Sequence, residues 1–381
     1  MSQAPVARVT DRAALADATV ARRVVVKIGS SSLTDDEGHL DVARLTALVN
    51  TLAARRAAGG EVVLVSSGAI AAGLPVLGLA KRPKDLATQQ AAASVGQGLL
   101  VAHYTRAFAA HGLRVGQVLL TAEDVIRRGH YRNAHRSLTR LLELGVVPVI
   151  NENDAVATRE IRFGDNDRLA ALASHLVHAD ALVLLTDVDA LYTAPPSRDG
   201  SRRIAVVEGP DELVGLEITA GGSHVGTGGM VTKVDAAAIA SGAGVPVVLT
   251  RADTLGAALA GEDVGTWFTP ASRRVTSRRL WLAHAADTNG RVVVDAGAVR
   301  AITHGKKSLL AAGVSGVEGA FDAGDPVEIA GPDGVVVARG LVSYSSDEMP
   351  ARLGLSSDRL RELFGDDREV VHRDDLVLTR R

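Results

Sequence analysis

Two lysines stand in the chain where a positive charge needs a negatively charged partner. Lys27 lies inside an apolar run, VVVKIG, and is followed by Gly29 and three serines. Lys233 follows a glycine-rich segment, GTGGMVT, in the first turn of a predicted helix. A lysine buried at a sheet edge requires an anion, and a cation is unfavourable at a helix N-terminus unless an anion lies between it and the backbone amides. Both lysines therefore indicate phosphate binding, with a lysine that merely snorkels past apolar residues as the alternative for Lys27.

Acidic and amide side chains cluster in two neighbouring loops. The first loop, Asn151–Asp154, comes directly after an apolar run, and the second, Gly164–Asp167, follows shortly. Oxygen acceptors in this number suit a substrate ammonium group, or they serve to fix nearby lysines. A calcium loop is the competing interpretation, but the glycine and the distant glutamate ligand of an EF-hand are missing.

Hydroxyl groups follow two further apolar runs, at Ser66–Ser67 and at Thr186. The small residues around Gly68 allow backbone amides to approach a carboxylate or phosphate, although simple capping of the next helix by Ser67 explains the same pattern. The sequence contains no GxxxxGK[ST], GxGxxG or GxSxG motif. His175 and His178 share a helix face at i,i+3, and without a third ligand they are interpreted as ordinary helix residues.

These loops need a scaffold, and the hydrophobic pattern predicts one. Short apolar runs alternate with longer amphipathic segments, which is typical of an α/β fold with a mainly parallel open sheet covered by helices on both faces. Several predicted helices begin at Asp or Asn and end at Gly. The predicted strands are Val24–Ile28, Glu61–Ser66, Arg114–Leu120, Val146–Ile150, Ala181–Thr186 and Val245–Thr250, and the predicted helices are Asp41–Ala58, Asp85–His111, Tyr131–Leu144, Asn166–His178 and Lys233–Ala243.

The spacing of the elements changes after Val264. Beyond it, short strands separated by Gly and Asp turns predict a second, small β-rich domain. We expect a boundary near residue 280. The predicted organisation is an N-terminal lead-in at 1–20, a first domain at 21–270, a linker at 271–289 and a second domain at 290–381.

Composition excludes several classes of protein. The 381 residues include no cysteine, which excludes disulfides, thiolate metal sites, iron–sulfur clusters and a cysteine nucleophile, and fits a reducing compartment. The net charge of −2 provides no global attraction to nucleic acid or to an anionic membrane. The N-terminal segment has no apolar core typical of a secretory signal, so we expect a cytoplasmic protein. The uncharged stretch 62–80 is interrupted by glycines and Pro75, which predicts a buried strand followed by a helix rather than a membrane span.

The motifs resemble, in order and spacing, those of the amino-acid kinase family, and within it the kinases that act on glutamate. The resemblance covers essentially the full chain, through VVVKIGSSSL, LVSSGAIAAG, VVPVINENDAV, FGDNDRLAA, LLTDVDALYT and GTGGMVTKVDAA. NENDAV together with GDND is specific for glutamate kinases, whereas Lys27 and the glycine-rich TK segment are shared across the wider family. The segments GKKSLLAAGV and GDPVEI resemble a PUA domain, a small barrel first known from RNA-modifying enzymes.

This resemblance implies ATP-dependent phosphorylation of the side-chain carboxylate of L-glutamate, with Mg²⁺ accompanying the nucleotide. It implies that Lys27 and Lys233 contact the transferring phosphoryl group from opposite sides and that Asp167 orients them. The residues implied to hold glutamate are Ser67, Asp154 and Asn166, with Asp165 joining the substrate or metal shell. The residues implied to line the nucleotide are Lys27, Thr186, Asp187, Thr227, Gly228, Gly229, Met230, Val231, Thr232 and Lys233.

The resemblance further implies feedback inhibition by proline at or overlapping the glutamate site, and a homo-oligomer. The protein ligands of the metal stay unassigned. Acetylglutamate and aspartate are the alternative acceptors. An RNA-binding role of the second domain is the alternative from another class, but residues 291–381 carry 12 Lys and Arg against 15 Asp and Glu and only three aromatic side chains. That surface disfavours nucleic acid as a partner.

Overall fold

The computed structural model describes residues 9–35, 37–121, 124, 128–155, 166–213, 229–271, 282, 288, 290–305 and 307–379. It divides the chain into two compact units, Met1–Val275 and Thr276–Arg381. Each unit has a hydrophobic core of its own.

The larger unit is built on an eight-stranded sheet of order β3-β4-β2-β1-β5-β9-β10-β8. The pairs from β3 through to β9 are parallel, β10 is antiparallel to β9, and β8 is parallel to β10. A separate two-stranded ribbon joins β6 to β7. The bounds are β1 Arg23–Ile28, β2 Glu61–Ser66, β3 Arg114–Leu120, β4 Val146–Glu152, β5 Ala181–Thr186, β6 Leu191–Tyr192, β7 Arg203–Ile204, β8 Val206–Val207, β9 Val247–Arg251 and β10 Thr266–Phe268.

The central strands form because β-branched and leucine side chains alternate onto two covered faces. Every residue of β2 and β5 is buried, as a sheet with helices on both faces requires. The predicted bounds of β2, β3 and β5 are confirmed. The structure extends β4 to Glu152, because Asn151 and Glu152 continue the ladder opposite Leu119 and Leu120. It starts β9 at Val247 rather than at the predicted Val245, because Pro246 has no N–H group to donate to a ladder.

The helices cover this sheet and begin at the capping residues that the sequence indicates. The Asp41 side chain accepts hydrogen bonds from the amides of Ala43 and Arg44, and the Asp85 side chain accepts one from Thr88. Within the described residues, no helix is both long and apolar enough to cross a membrane. The bounds are α1 Ser30–Leu33, α2 Val42–Ala57, α3 Ala69–Gly73, α4 Leu86–Ala109, α5 Arg128–Glu143, α6 Asn166–Leu176, α7 Met230–Gly242 and α8 Leu255–Leu259, with short 3₁₀ turns at Ala13–Leu15, Pro210–Leu213 and Ala252–Thr254.

Two glycines let α3 and α4 approach at backbone distance. A Cβ atom added to Gly96 would lie 1.8 Å from the carbonyl oxygen of Ala69, and one added to Gly73 would lie 2.1 Å from that of Ala92. Real Cβ atoms do not approach a carbonyl oxygen so closely, so both positions require glycine. The predicted strand followed by a helix at 62–80 is confirmed as β2 and α3, and α4 packs directly against the latter.

The strand order places the polar loops together. The chain runs from β1 outward to β2, β3 and β4 on one side, and then returns to place β5 on the other side of β1. Loops that follow parallel strands all emerge at the same sheet edge, and ligands bind where the direction of the connections reverses. The segments after β1, β2, β4 and β5 therefore surround one crevice.

The smaller unit contains a five-stranded sheet of order β12-β11-β13-β14-β15. Its core is apolar and includes the buried Tyr344, whose hydroxyl donates to the carbonyl of Arg368 at 2.9 Å. The bounds are β11 Gly290–Val294, β12 Val314–Gly319, β13 Pro326–Ala330, β14 Val336–Leu341, β15 Leu376–Leu378, α9 Ala296–Thr303 and α10 Ser357–Phe364, with 3₁₀ turns at Ala311–Gly313 and Arg373–Asp375.

Candidate active site

One buried carboxylate holds both lysines that the sequence singles out. Lys27 Nζ lies 2.5 Å from Asp167 Oδ1, and Lys233 Nζ lies 3.2 Å from Asp167 Oδ2. The Asp167 side chain is fully buried, Lys27 is 2% exposed and the Lys233 side chain is 9% exposed. The structure thus brings together the three residues that the sequence analysis assigned to phosphoryl transfer.

Each member of this triad is placed by a different element. Lys27 is the fifth residue of β1 and pairs with Val65 of β2 and Leu184 of β5, so its backbone lies at the centre of the sheet. Asp167 stands in the first turn of α6, where the helix dipole favours a negative charge. Lys233 stands in the first turn of α7, where the dipole disfavours a cation, and the contact with Asp167 offsets that cost.

The charges of the three side chains in the triad sum to plus one. Two ammonium groups face one carboxylate. Because all three side chains are buried, bulk water screens their charges little. Thr232 adds a hydroxyl group, which lies 3.3 Å from Asp167 Oδ2 and 2.9 Å from the carbonyl of Gly229. An anionic ligand is the group that completes this charge arrangement.

A second set of side chains lies beside the triad and consists of amides and hydroxyls. Asn166 directly precedes Asp167, and its Nδ2 atom donates to Ser67 Oγ at 2.8 Å and to Asn151 Oδ1 at 2.9 Å. Asn151 Nδ2 in turn donates to Gln97 Oε1 at 2.7 Å. The ends of β2 and β4, the start of α6 and the middle of α4 are joined in this way beside the phosphoryl-transfer triad.

The role of Ser67 distinguishes the two interpretations of the loop after β2. Gly68, with φ of 104°, is the N-cap residue of α3 and has no side chain that could cap the helix, so Ser67 does not occupy the capping position. Ser67 faces Asn166 instead, so the capping alternative is wrong. Ser66 is buried beneath the loop and its hydroxyl lies 2.8 Å from the hydroxyl of Tyr104, whose pKa is raised by burial and which therefore stays neutral.

The remaining predicted nucleotide residues fall on the other side of β1. Thr186 ends β5, is buried, and donates from its hydroxyl to Asp187 Oδ1 at 2.9 Å, while Asp187 itself is exposed. Gly229 is the N-cap residue of α7. Met230 and Thr232 are half-buried, and Val231 is 40% exposed.

Some predicted residues are less informative in the structure. Asp154 lies half-buried in the turn that follows β4. Asp165, Thr227 and Gly228 lie outside the described residues. Within the described part of the chain, no group of three or more histidine or acidic side chains is arranged to hold a metal ion.

His175 lies on α6, and His178 follows the end of that helix with a left-handed φ of 52°. The His178 ring packs edge-on against His135 with the ring centroids 5.1 Å apart, and His175 lies 6.3 Å from His178. His135 Nδ1 lies 2.7 Å from the carbonyl oxygen of Leu176. These contacts give both histidines a structural role, but the prediction that His178 shares the helix with His175 is wrong, because the helix ends at Leu176.

Two members of the amide network have no predicted role. Asn151 belongs to the predicted acid and amide cluster without a function of its own, and Gln97 lies outside every predicted site. Gln97 does carry a signal, since it is a polar residue on the otherwise apolar buried face of α4, which includes Ala93, Leu100 and Tyr104. A polar side chain on such a face requires a polar partner.

Two family models and several known proteins match the sequence of this chain. The model of the amino acid kinase family matches residues 22–251, and the PUA domain model matches residues 290–364. Glutamate 5-kinase of Salinispora arenicola (strain CNS-205) is 62% identical over 363 residues, which cover 94% of this chain and 98% of that protein. Glutamate 5-kinase of Thermobifida fusca (strain YX) is 60% identical over 369 residues, which cover 96% of this chain and 95% of that protein.

A solved structure supports the fold of the larger unit. Carbamate kinase from Giardia lamblia, solved bound to AMP-PNP, aligns with a TM-score of 0.50 at 18% sequence identity. The alignment covers 66% of this chain and all but 1% of that one. At this identity the likeness concerns the fold alone.

Proposed function

The chain belongs to the amino acid kinase family and, within it, to the glutamate 5-kinases, and we propose that Lys27, Lys233 and Asp167 form the centre of its phosphoryl transfer. The reaction moves the γ-phosphoryl group of ATP to the side-chain carboxylate of L-glutamate and yields L-glutamyl 5-phosphate, the first step of proline biosynthesis. The observation that carries the proposal is the pair of buried lysines held by one carboxylate.

The chemistry explains why lysines are needed and a base is not. A P–O bond to the side-chain carboxylate of glutamate forms while the P–O bond to ADP breaks, and negative charge develops on the transferring group and the departing oxygen. The attacking carboxylate is already ionised at neutral pH, so no proton has to be removed from it. Catalysis then consists of positioning two anions and neutralising charge, which two ammonium groups in a buried site accomplish.

Asp167 acts through the lysines rather than on the substrate. Both of its oxygens are engaged, one by Lys27 and the other by Lys233, so its position fixes where the two ammonium groups stand. With its charge included, the triad stays positive by one unit, which favours the phosphates of ATP.

Glutamate binds on the amide side of the triad in this proposal. The Asn166 Oδ1 atom is buried and accepts no hydrogen bond from a described residue, which fits an acceptor for the ammonium group of the substrate. Asp154 supplies a carboxylate for the same ammonium group, Ser67 holds the substrate with Asn166, and Asp165 joins the substrate or metal shell. An acetylated amine carries no charge, so this arrangement favours free glutamate over acetylglutamate.

ATP binds on the other side of β1, along Thr186, Asp187 and the segment that leads to Lys233. Mg²⁺ accompanies it, because at nucleotide sites this ion is bound largely by phosphate oxygens and water, with one or two carboxylates. The exposed carboxylate of Asp187, beside Thr186 at the end of β5, fits that mode. When bound to ATP, the ion would neutralise negative charge on the β and γ phosphates.

Regulation and assembly complete the proposal. Proline shares the α-carboxylate and α-nitrogen of glutamate, so it competes for the acid and amide side chains of the segment 151–167 as a feedback inhibitor. We assign kinase chemistry to 21–270, a linker to 271–289 and the PUA domain to 290–381, and we propose a cytoplasmic homo-oligomer. The acidic balance of 291–381 disfavours nucleic acid as a partner.

One coupled assay for ADP release tests this assignment. Free glutamate, acetylglutamate and aspartate are supplied in turn, with and without proline. We expect turnover with free glutamate and inhibition by proline that high glutamate relieves. Preferential turnover of acetylglutamate or aspartate would reject the substrate, and proline inhibition that glutamate never relieves would place proline at a separate site.

A further inference from the structure

Three amide side chains form a line whose direction is set by one backbone group. The backbone N–H of Glu152 donates to Asn151 Oδ1 at 2.9 Å, which fixes the oxygen end of the Asn151 amide. Asn151 Nδ2 therefore faces Gln97 and donates to its Oε1 atom at 2.7 Å. Asn151 Oδ1 also accepts from Asn166 Nδ2 at 2.9 Å. Each amide has one oxygen and one NH₂ group. Once the Glu152 N–H group sets the orientation of the Asn151 amide, the orientations of the Gln97 and Asn166 amides follow from their hydrogen bonds to it.

The line leaves one polar atom at each end. Asn166 Oδ1 is an acceptor and Gln97 Nε2 is a donor, and both atoms are buried without a hydrogen-bond partner among the described residues. Buried polar groups in folded proteins are nearly always paired. An acceptor at the Asn166 end is the group that an amino-acid ammonium would satisfy.

Gln97 is held rigidly by the helix that carries it. It lies 9% exposed on the buried face of α4, directly after Gly96, whose backbone lies against the carbonyl of Ala69. Ala69 begins α3, immediately after the loop that carries Ser67. The α4 backbone at Gln97 is therefore fixed relative to that loop.

We propose that Gln97 is a positioning residue for the glutamate substrate, which it influences through Asn151 and Asn166. Its Oε1 atom holds the NH₂ end of the Asn151 amide while the backbone N–H of Glu152 holds the oxygen end, and Asn151 in turn keeps Asn166 Oδ1 directed to the substrate ammonium group. If Asn166 turned over, it would present NH₂ hydrogens to that ammonium group. This inference rests on the proposed role of Asn166 in glutamate binding.

The first test compares two substitutions of glutamine on the same helix. Gln97→Met keeps the length of the side chain and removes the acceptor, whereas Gln89→Met removes an amide that donates to the carbonyl of Pro83 at 2.8 Å. We expect Gln97→Met to lower kcat/KM for glutamate about tenfold, through KM, because one buried hydrogen bond is lost. The KM for ATP of Gln97→Met should stay within about twofold of the wild-type value. In the Gln89→Met control, the KM values for glutamate and for ATP should both stay within about twofold of wild type. Equal changes in the two KM values would indicate a general structural role and overturn the proposal.

A double-mutant cycle with Asn166→Ala separates action through Asn166 from independent damage. If Gln97 acts through Asn166, adding Gln97→Met to Asn166→Ala changes kcat/KM for glutamate by less than about twofold. A full tenfold further loss would overturn the inference. The outcome is distinct from failure of the proposed function, which would appear as a wild-type protein without glutamate-dependent ADP release.

A second variant covers the case in which Gln97→Met does not fold. Gln97→Glu retains an oxygen that accepts from Asn151 Nδ2, so it should lose less kcat/KM for glutamate than removal of the acceptor does. Thermal unfolding of each variant verifies that the chain is folded. A loss of tenfold or more in folded Gln97→Glu, with an unchanged KM for ATP, would show that the acceptor is not what matters and would overturn the proposal.

Discussion

Replacement of Asp167 by Asn tests the charge arrangement of the site most directly. The change keeps the size of the side chain and removes the only negative charge that the described residues place against Lys27 and Lys233 at these distances. At an effective dielectric constant of about 20, attractions over 2.5 and 3.2 Å amount to about 7 and 5 kcal/mol. Desolvation of the three groups offsets much of that gain, so the net loss on removing one partner of a buried pair is about 3–5 kcal/mol.

The loss should appear as a lower melting temperature without nucleotide. For a unit of this size, about 3–5 kcal/mol corresponds to a decrease of about 6–20 °C. ATP should raise the melting temperature of Asp167→Asn more than that of the wild type, because its phosphates replace the missing negative charge. Turnover should fall by at least about a hundredfold, since the lysines are no longer held in place.

Asp235→Asn is the matched control. Asp235 lies on α7 and pairs with Arg168 at 3.7 Å, but its side chain is 48% exposed. Removing such a pair changes the free energy of unfolding by at most about 1 kcal/mol. If Asp167→Asn were as stable as this control, or if ATP stabilised it no more than the wild type, the reasoning about a buried, positively charged centre would be refuted.

Four further predictions follow from the same structure. Lys27→Ala and Lys233→Ala should each lower kcat by at least about a hundredfold in a folded protein, and near-normal turnover of either variant would remove that lysine from the transfer step. Asp154→Ala should raise the KM for glutamate far more than that for ATP, whereas equal effects would place it outside the glutamate site. Gly96→Ala should lower the free energy of unfolding by about 1–3 kcal/mol in denaturant titrations, because its Cβ would overlap a backbone carbonyl, and an unchanged midpoint would contradict the close approach of α3 and α4. Truncation near residue 280 should leave a folded kinase with an altered response to proline, and loss of all phosphoryl transfer in a cooperatively folded truncation would show that the smaller unit contributes to catalysis.

Local patterns in the sequence determined the scaffold of this protein. Runs of β-branched and leucine residues specify strands with both faces covered, which is why the bounds of β2 and β5 were predictable. Asp41 and Asp85 mark helix starts because their side chains satisfy backbone amides one turn away. The requirement of Lys27 for an anion was also evident, because an isolated charge in an apolar run is unstable when buried.

The tertiary structure decided which groups meet those requirements. Hydrophobic periodicity reports that a side chain is buried but not what it contacts, so the sequence left Ser67 open between a helix cap and a ligand-binding hydroxyl. Folding placed Asn166 against Ser67, and Asp167 between two lysines on different elements. Gln97 shows the same limit, since its hydrogen bond to Asn151 joins residues 54 positions apart and depends on the close approach that Gly96 permits. Partners distant in sequence are determined by strand order and helix packing, and these arise only when the whole unit folds.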